Sequence, residues 1–253
     1  MRKTYTQTEY GAPAAIHTAR GGAVYVAPER EPEGAEIFFF TRLGGVSEPP
    51  YDSLNVSKRV GDAPDAVDDN LILINAAMSG RPAAWVRQVA GDNVVRVSGP
   101  GFAGEADALV TAEPELCLSV AVADCVPVAL VGELGVGMVH SGWRGTLAGV
   151  SGEAARRLGG SRLQAYIGPS IRRCCYEVSE ELAAKFAKEF GDEVVSGRNL
   201  SLQDAIRLDL ERAGVEVDDL GLCSGCRPDL FYSHRKQGPL TGRNLASIVR
   251  EPR

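Results

Sequence analysis

Three apolar runs follow one another in the middle of the chain: Cys117 to Ala123, Pro127 to Val131 and Val136 to His140. Each is short and bounded by turn residues, so each reads as a buried strand. Ile37 to Phe40 is a fourth such run, ending in the glycine turn Thr41 to Gly45, with a polar loop over residues 28–34 before it. Trp85 to Gln88 and Asn93 to Val97 read as short strands about a Gly91-Asp92 turn, and Gln164 to Ile167 as another. Helical patterns lie between them. Asp65 to Met78 carries acidic residues in its first turn and stops at Ser79-Gly80. Thr146 to Leu158 puts Leu147, Val150, Ala154 and Leu158 on one face. Ser179 to Phe190 carries a stripe of Leu182, Phe186 and Phe190, and Ser201 to Ala213 opens on a serine suited to an N-cap. Strands and helices do not alternate as βαβ units, which predicts an α+β fold with a mixed β-sheet core flanked by helices.

The chain has 253 residues, a length one domain spanning residues 1–253 accommodates. A net charge of −6 does not attract a polyphosphate backbone, so no nucleic-acid partner is expected. No stretch approaches 18 consecutive apolar residues, so no membrane span is expected. The N-terminus, MRKTYTQTEYG, is basic but has no apolar segment behind it and does not read as a signal peptide. The expected compartment is the cytoplasm, where the six cysteines stay reduced.

Four segments carry residues suited to chemistry. Asp124-Cys125 is a polar pair between two hydrophobic runs. Taken alone, Cys125 reads as an inert buried thiol, because cysteine is among the most buried residue types. His140 ends a strand at the glycine-rich turn Ser141 to Gly145, where a ligand can approach the backbone; the bland alternative is a structural histidine beside Arg144 stacked on Trp143. Arg42 in its Gly-Gly turn suits an anion such as phosphate, or is a solvated surface arginine. Cys223-Ser224-Gly225-Cys226 is a single CxxC without a second pair or a thioredoxin-like context, so it and the vicinal Cys174-Cys175 read as reduced structural thiols. His17 reads as a surface residue, and His234 follows an aromatic pair from which it reaches toward a site.

In order along the chain, the blocks TRLGGVS, DSLN, VGD, QVAGDNV, DALVT, ADCVPV, VHSGWRG, IGPSIRRCCYEV and CSGCRPDLFYSHR resemble the multicopper polyphenol oxidase (laccase-like) family, also called the YfiH family of purine nucleoside phosphorylases and peptidoglycan editing factors. The resemblance implies a fold similar to the catalytic domain of cytotoxic necrotizing factor. It implies phosphorolysis of purine nucleosides to base and ribose 1-phosphate, with adenosine deamination as a second activity. It also implies a zinc, rather than copper, held by a His, a Cys and a second His. Cys125 and His140 match the second and third of these. The first falls on Ala90, where the family's Gln-Val-His-Gly reads Gln88-Val89-Ala90-Gly91.

A catalytic zinc usually takes three protein ligands, and losing one should cost at least the roughly 10–100-fold that a disturbed outer-shell partner costs. Three explanations order themselves. Zinc-supported nucleoside chemistry comes first, with His234 or Asp124 as the replacement ligand. A cysteine hydrolase using Cys125 and His140 as nucleophile and base comes second, acting on peptidoglycan precursors as the editing-factor name implies. A non-catalytic purine-binding paralogue is third. On the first, Asp124 orients a ligand or relays a proton, Arg42 holds phosphate, and Arg144 braces the turn that presents His140. The expected partners are a nucleoside and phosphate, and the expected state is a monomer or small homo-oligomer.

Overall fold

The computed structural model describes residues 3–5 and 14–252. Most of the N-terminal segment discussed above lies outside the described residues. In chain order the strands are β1 (Lys3–Tyr5), β2 (Ala14–Thr18), β3 (Val24–Pro28), β4 (Ala35–Phe40), β5 (Ala83–Arg87), β6 (Val94–Arg96), β7 (Gly101–Glu105), β8 (Ala108–Thr111), β9 (Cys117–Val122), β10 (Val126–Gly132), β11 (Gly135–Ser141), β12 (Leu163–Ile167), β13 (Val195–Ser196), β14 (Asn199–Leu200), β15 (Glu216–Asp219) and β16 (Asn244–Arg250). The helices are α1 (Pro64–Ala77), α2 (Trp143–Leu147), α3 (Val150–Leu158), α4 (Glu180–Phe190), α5 (Leu202–Arg212) and α6 (His234–Gln237).

Eight strands form one sheet in the order β1-β2-β3-β4-β16-β9-β5-β7, and six form a second in the order β15-β12-β10-β11-β8-β6. Both are mixed. In the first, β16 runs antiparallel to β4 and β9 while β5 runs parallel to β7 and β9. In the second, β10 is antiparallel to β11 and β12, and β15 is parallel to β12. The fold is the α+β arrangement with a mixed sheet core that the sequence predicts.

Side chains alternate along a strand, so each sheet buries two faces. From β4, Ile37 and Phe39 enter a core shared with Leu109, Ala129 and Met138 of the second sheet. Phe38 and Phe40 point the other way and pack with Ile74 and Met78 at α1. From β10, Val126, Val128 and Leu130 pack with Val150, Ala154, Phe186 and Ile206 of α3, α4 and α5. The layers are therefore α1, the eight-stranded sheet, the six-stranded sheet, and α3 to α5. A sheet covered on both faces needs apolar residues at consecutive positions, which is why the central runs show no polar alternation. Removing the fully buried Phe39 ring should cost about 3–5 kcal/mol.

The helix expected over Thr146 to Leu158 is two helices. Gly149 has φ 75°, a left-handed conformation that ends α2 and begins α3. Asp209 of α5 accepts a hydrogen bond from Gly152 N at 2.8 Å and so satisfies a free donor of α3. Val150, Ala154 and Leu158 are buried as expected, but Leu147, across the break, is only partly so. Ser179 and Ser201 both cap, accepting from Leu182 N and Asp204 N. His17 lies in β2 and stacks on Tyr25 with ring centroids 5.0 Å apart, rather than in a polar surface segment. Among the described residues, no helix is long and apolar enough to cross a membrane.

Candidate active site

The register of β10, β11 and β8 builds the site. Pro127 pairs with His140, and Val139 with Ala108, so His140 sits beside Asp107, to whose carbonyl it donates its N–H at 2.7 Å. Two-residue periodicity then puts Cys125 on the face of Ala129, His140 on that of Met138, and Asp107 on that of Leu109. All three of those neighbours lie in the core between the sheets. Cys125, His140 and Asp107 therefore converge at one end of the inter-sheet layer from three adjacent strands.

Asp107 is fully buried. Its Oδ1 lies 2.8 Å from His140 Nδ1 and accepts from Ala90 N at 3.0 Å; its Oδ2 accepts from Gly91 N at 2.7 Å and Val89 N at 3.3 Å. Burial opposes its charge, but His140 and these backbone donors outweigh burial and hold the carboxyl below its ordinary value. A carboxylate at Nδ1 fixes that nitrogen as the donor and leaves Nε2 for chemistry. Burial likewise opposes protonation of His140. Cys125 and Asp107, acting through charge and hydrogen bonds, overcome it and push the imidazole up to about 9. Gly142 follows closely: a Cβ there would stand 3.1 Å from Cys125 Sγ, tight enough to displace the sulfur by a few tenths of an ångström.

Asp124 sits at φ 85°, uncommon for a non-glycine residue. Its Oδ1 accepts from Ser224 Oγ at 2.7 Å and its Oδ2 from Arg235 N at 2.6 Å, while its carbonyl accepts from Ile171 N. Asp124 thus fixes the turn that presents Cys125. These residues open onto a cleft of about 840 Å³. Lys58, Arg59, Arg235 and Arg243 line it with positive charge, and Trp85, Phe102 and Tyr176 with aromatic faces. Trp85 and Phe102 are register partners on β5 and β7, and at 50% and 62% exposure they present unusually bare rings. Arg243 is partly buried, and burial lowers its pKa against the opposing pull of Cys125 and Asp124.

Arg42 and Arg144 are not among the cleft residues. Arg42 donates from Nε to Asp52 O at 2.7 Å and from Nη1 to Pro228 O at 3.1 Å, pairs with the Asp52 carboxylate at 3.0 Å, and lies over the Tyr232 ring. Its donors are committed to internal acceptors. The glycines beside it serve chain packing: a Cβ on Gly44 would meet Gly22 O at 2.0 Å, and one on Gly45 would meet Ser53 O at 2.3 Å. Arg144 is exposed and stacks on Trp143 with its guanidinium 4.3 Å from the ring centroid. His234 begins α6 and is exposed at the cleft.

Ala90 has φ 58°, and its N–H is held by Asp107. Its methyl side chain carries no ligand atom. Among the described residues, no third His, Cys, Asp or Glu atom joins Cys125 and His140 within ligand spacing, and both Asp124 oxygens are occupied. Two donors do not fit a three-ligand zinc site. A group that does meet metal-ligand spacing is Cys174, Cys175, Cys223 and Cys226. Sequence reasoning passed over this convergence, and also Asp107, Arg243 and the Trp85–Phe102 pair. Asp107 leads into the fully buried strand β8, but only the pairing of β8 with β11 shows its partner.

Fold and site define an α+β protein with a sulfur–imidazole–carboxylate centre at the end of two packed sheets. The chain belongs to the family described as multi-copper polyphenol oxidoreductase laccase, which it matches over residues 36–251. It is 40% identical over 224 residues to a purine nucleoside phosphorylase of Deinococcus radiodurans, covering 83% of this chain and 87% of that protein. It is 34% identical over 234 residues to the purine nucleoside phosphorylase YfiH of Escherichia coli K12, covering 87% and 95%. The crystal structure of YlmD from Geobacillus stearothermophilus superposes with a TM-score of 0.82 at 28% identity, over 98% of this chain and 99% of that one. That of the Bacillus licheniformis hypothetical protein YfiH gives 0.84 at 27%, over 93% and 99%.

Proposed function

We propose that the protein cleaves purine nucleosides with phosphate, and that Ala90 weakens zinc binding and with it the adenosine deaminase side activity. The observation that carries this reading is a cleft with aromatic faces for a base and cations for phosphate, opening over Cys125 and His140. The relatives named as purine nucleoside phosphorylases support it. A phosphate oxygen attacks C1′ of the ribose, the C1′–N9 bond breaks, and its electron pair leaves with the purine. His140, kept protonated by Asp107 and Cys125, donates the proton that neutralises the departing base. Arg243 holds the attacking phosphate in place of Arg42. Deamination needs an activated water, and two donors would hold the zinc that activates it only weakly.

A second reading rests on the same residues. Cys125, His140 and Asp107 stand in the order of a nucleophile, an imidazole and an orienting carboxylate, which in a cysteine hydrolase act as nucleophile, base and orienting group. Its substrate would be an amide in a peptidoglycan precursor, such as a wrongly attached amino acid on a nucleotide-linked sugar.

The deciding experiment incubates the protein and Ala90→His with inosine and adenosine in phosphate, with metal analysis of both. Phosphate-dependent release of base and ribose 1-phosphate by the protein supports the first reading. Ammonia release from adenosine should appear or rise in Ala90→His together with bound zinc. Turnover of the amide precursor alone favours the hydrolase. Nucleosides that raise the melting temperature without turnover mark a binding protein.

A further inference from the structure

Outside the cleft, the cysteines left unused by the site meet at one point. Cys174 and Cys175 lie in the loop after β12, and Cys223 and Cys226 in the loop after β15. Strands β12 and β15 are parallel neighbours, so their C-terminal loops emerge side by side. Ser224 N donates to Ser170 O at 3.0 Å and holds the loops together. The four sulfurs all lie within 4.8 Å of one another. Three of the separations are 3.6 Å (Cys174 to Cys223), 3.5 Å (Cys174 to Cys226) and 3.4 Å (Cys175 to Cys226).

We propose that Cys174, Cys175, Cys223 and Cys226 form a four-thiolate structural zinc site, separate from the cleft. A Zn–S bond is about 2.3 Å, so a tetrahedral ZnS4 centre sets its sulfurs roughly 3.8 Å apart. The three separations of 3.4 to 3.6 Å fall slightly short of that value and the others do not exceed 4.8 Å, a spacing that suits one ion and not a polynuclear cluster. A disulfide needs its sulfurs at about 2.05 Å, and all four cysteines are free. Soft thiolate ligands in tetrahedral array select zinc among the common divalent ions.

The backbone N–H groups of Arg172 and Cys226 point at the Cys223 sulfur. Backbone N–H groups aimed at sulfur suit a metal thiolate, whose remaining negative charge they stabilise. With four protein ligands the ion has no open position, so its role is to staple two loops. One loop carries Tyr176 into the cleft, and the other carries Ser224, which holds Asp124 beside Cys125. The proposal is independent of the phosphorylase reading.

The test measures zinc in the full-length protein purified without chelator, and in Cys125→Ala/His140→Ala and Cys174→Ser/Cys226→Ser. About one equivalent should survive in the first variant and disappear in the second. Zinc-edge X-ray absorption on the unaltered protein and on Cys125→Ala/His140→Ala should show four sulfurs at about 2.3 Å in the latter, which keeps the proposal decidable if the cysteine variant does not fold. Loss of all zinc with Cys125 and His140, a nitrogen-containing shell in that variant, iron in place of zinc, or a disulfide within either cysteine pair would each overturn it.

Discussion

The Asp107 carboxylate lies 2.8 Å from His140 Nδ1 while accepting three consecutive backbone N–H groups from Val89, Ala90 and Gly91. One buried acid therefore orients the imidazole and also shapes the loop around Ala90. Asp107→Asn keeps the size but removes the charge that favours the His140 imidazolium. Turnover should fall by about 10–100-fold, the usual effect of losing an orienting partner, with a lowered His140 pKa. Asp107→Ala should also destabilise the fold by about 3–5 kcal/mol, since three backbone donors and a histidine lose their acceptor. Steady-state kinetics and urea unfolding of the two variants check this; an Asn variant with unchanged rate and His140 titration would exclude the orienting role.

The His140 shift fixes a pH window. Its folded value, about 9, lies above the ordinary 6.5. Its contribution to stability is therefore complete below pH 6.5 and is lost as pH rises through 9. Activity that uses the His140 proton should decline over the same upper range. The chain has three histidines, so the imidazole resonances are few enough to assign by single substitutions. Titration of metal-free protein should show one resonance moving near pH 9, absent in His140→Ala. A midpoint near 6.5 would refute the charged-pair description.

Much of the fold is legible because burial on both faces leaves a near-continuous apolar signature in β4, β9, β10 and β11, and because Ser179 and Ser201 mark their helices chemically. The Thr146 to Leu158 pattern misled because its apolar spacing continues across Gly149, whose backbone breaks it. Cys125 and His140 stand out as polar residues at the ends of apolar strands. Asp107 does not, since only the pairing of β8 with β11 shows its partner. Arg42 shows the limit of composition: an arginine beside two glycines looks like an anion loop, yet these glycines admit neighbouring backbone. The cysteine pairs differ in spacing and meet only because β12 and β15 are adjacent and parallel.

Arg42 and Arg243 should separate cleanly in kinetics. Arg42→Ala removes hydrogen bonds to Asp52 and Pro228 and the contact with Tyr232. It should cost about 2–3 kcal/mol of stability and leave the KM for phosphate unchanged in the folded fraction. Arg243→Ala should raise that KM by at least about 10-fold, the effect of losing roughly 1.4 kcal/mol of binding. The reverse result would return the anion role to Arg42.

Trp85 and Phe102 lie side by side on β5 and β7 at the cleft, exposed where large aromatics are usually buried. Stacking on an aromatic side chain is worth about 1–3 kcal/mol per base. Trp85→Ala should therefore raise the nucleoside KM by roughly 5–150-fold on that scale, with Phe102→Ala smaller if its ring only flanks the base. Both rings are at the surface, so neither change should move the melting temperature much. The Trp85 fluorescence of the unaltered protein should quench on titration with inosine and not with ribose 5-phosphate, because only the former carries a base to stack. Equal quenching by both compounds, or a KM unmoved by Trp85→Ala, would place the purine elsewhere in the cleft, against Tyr176.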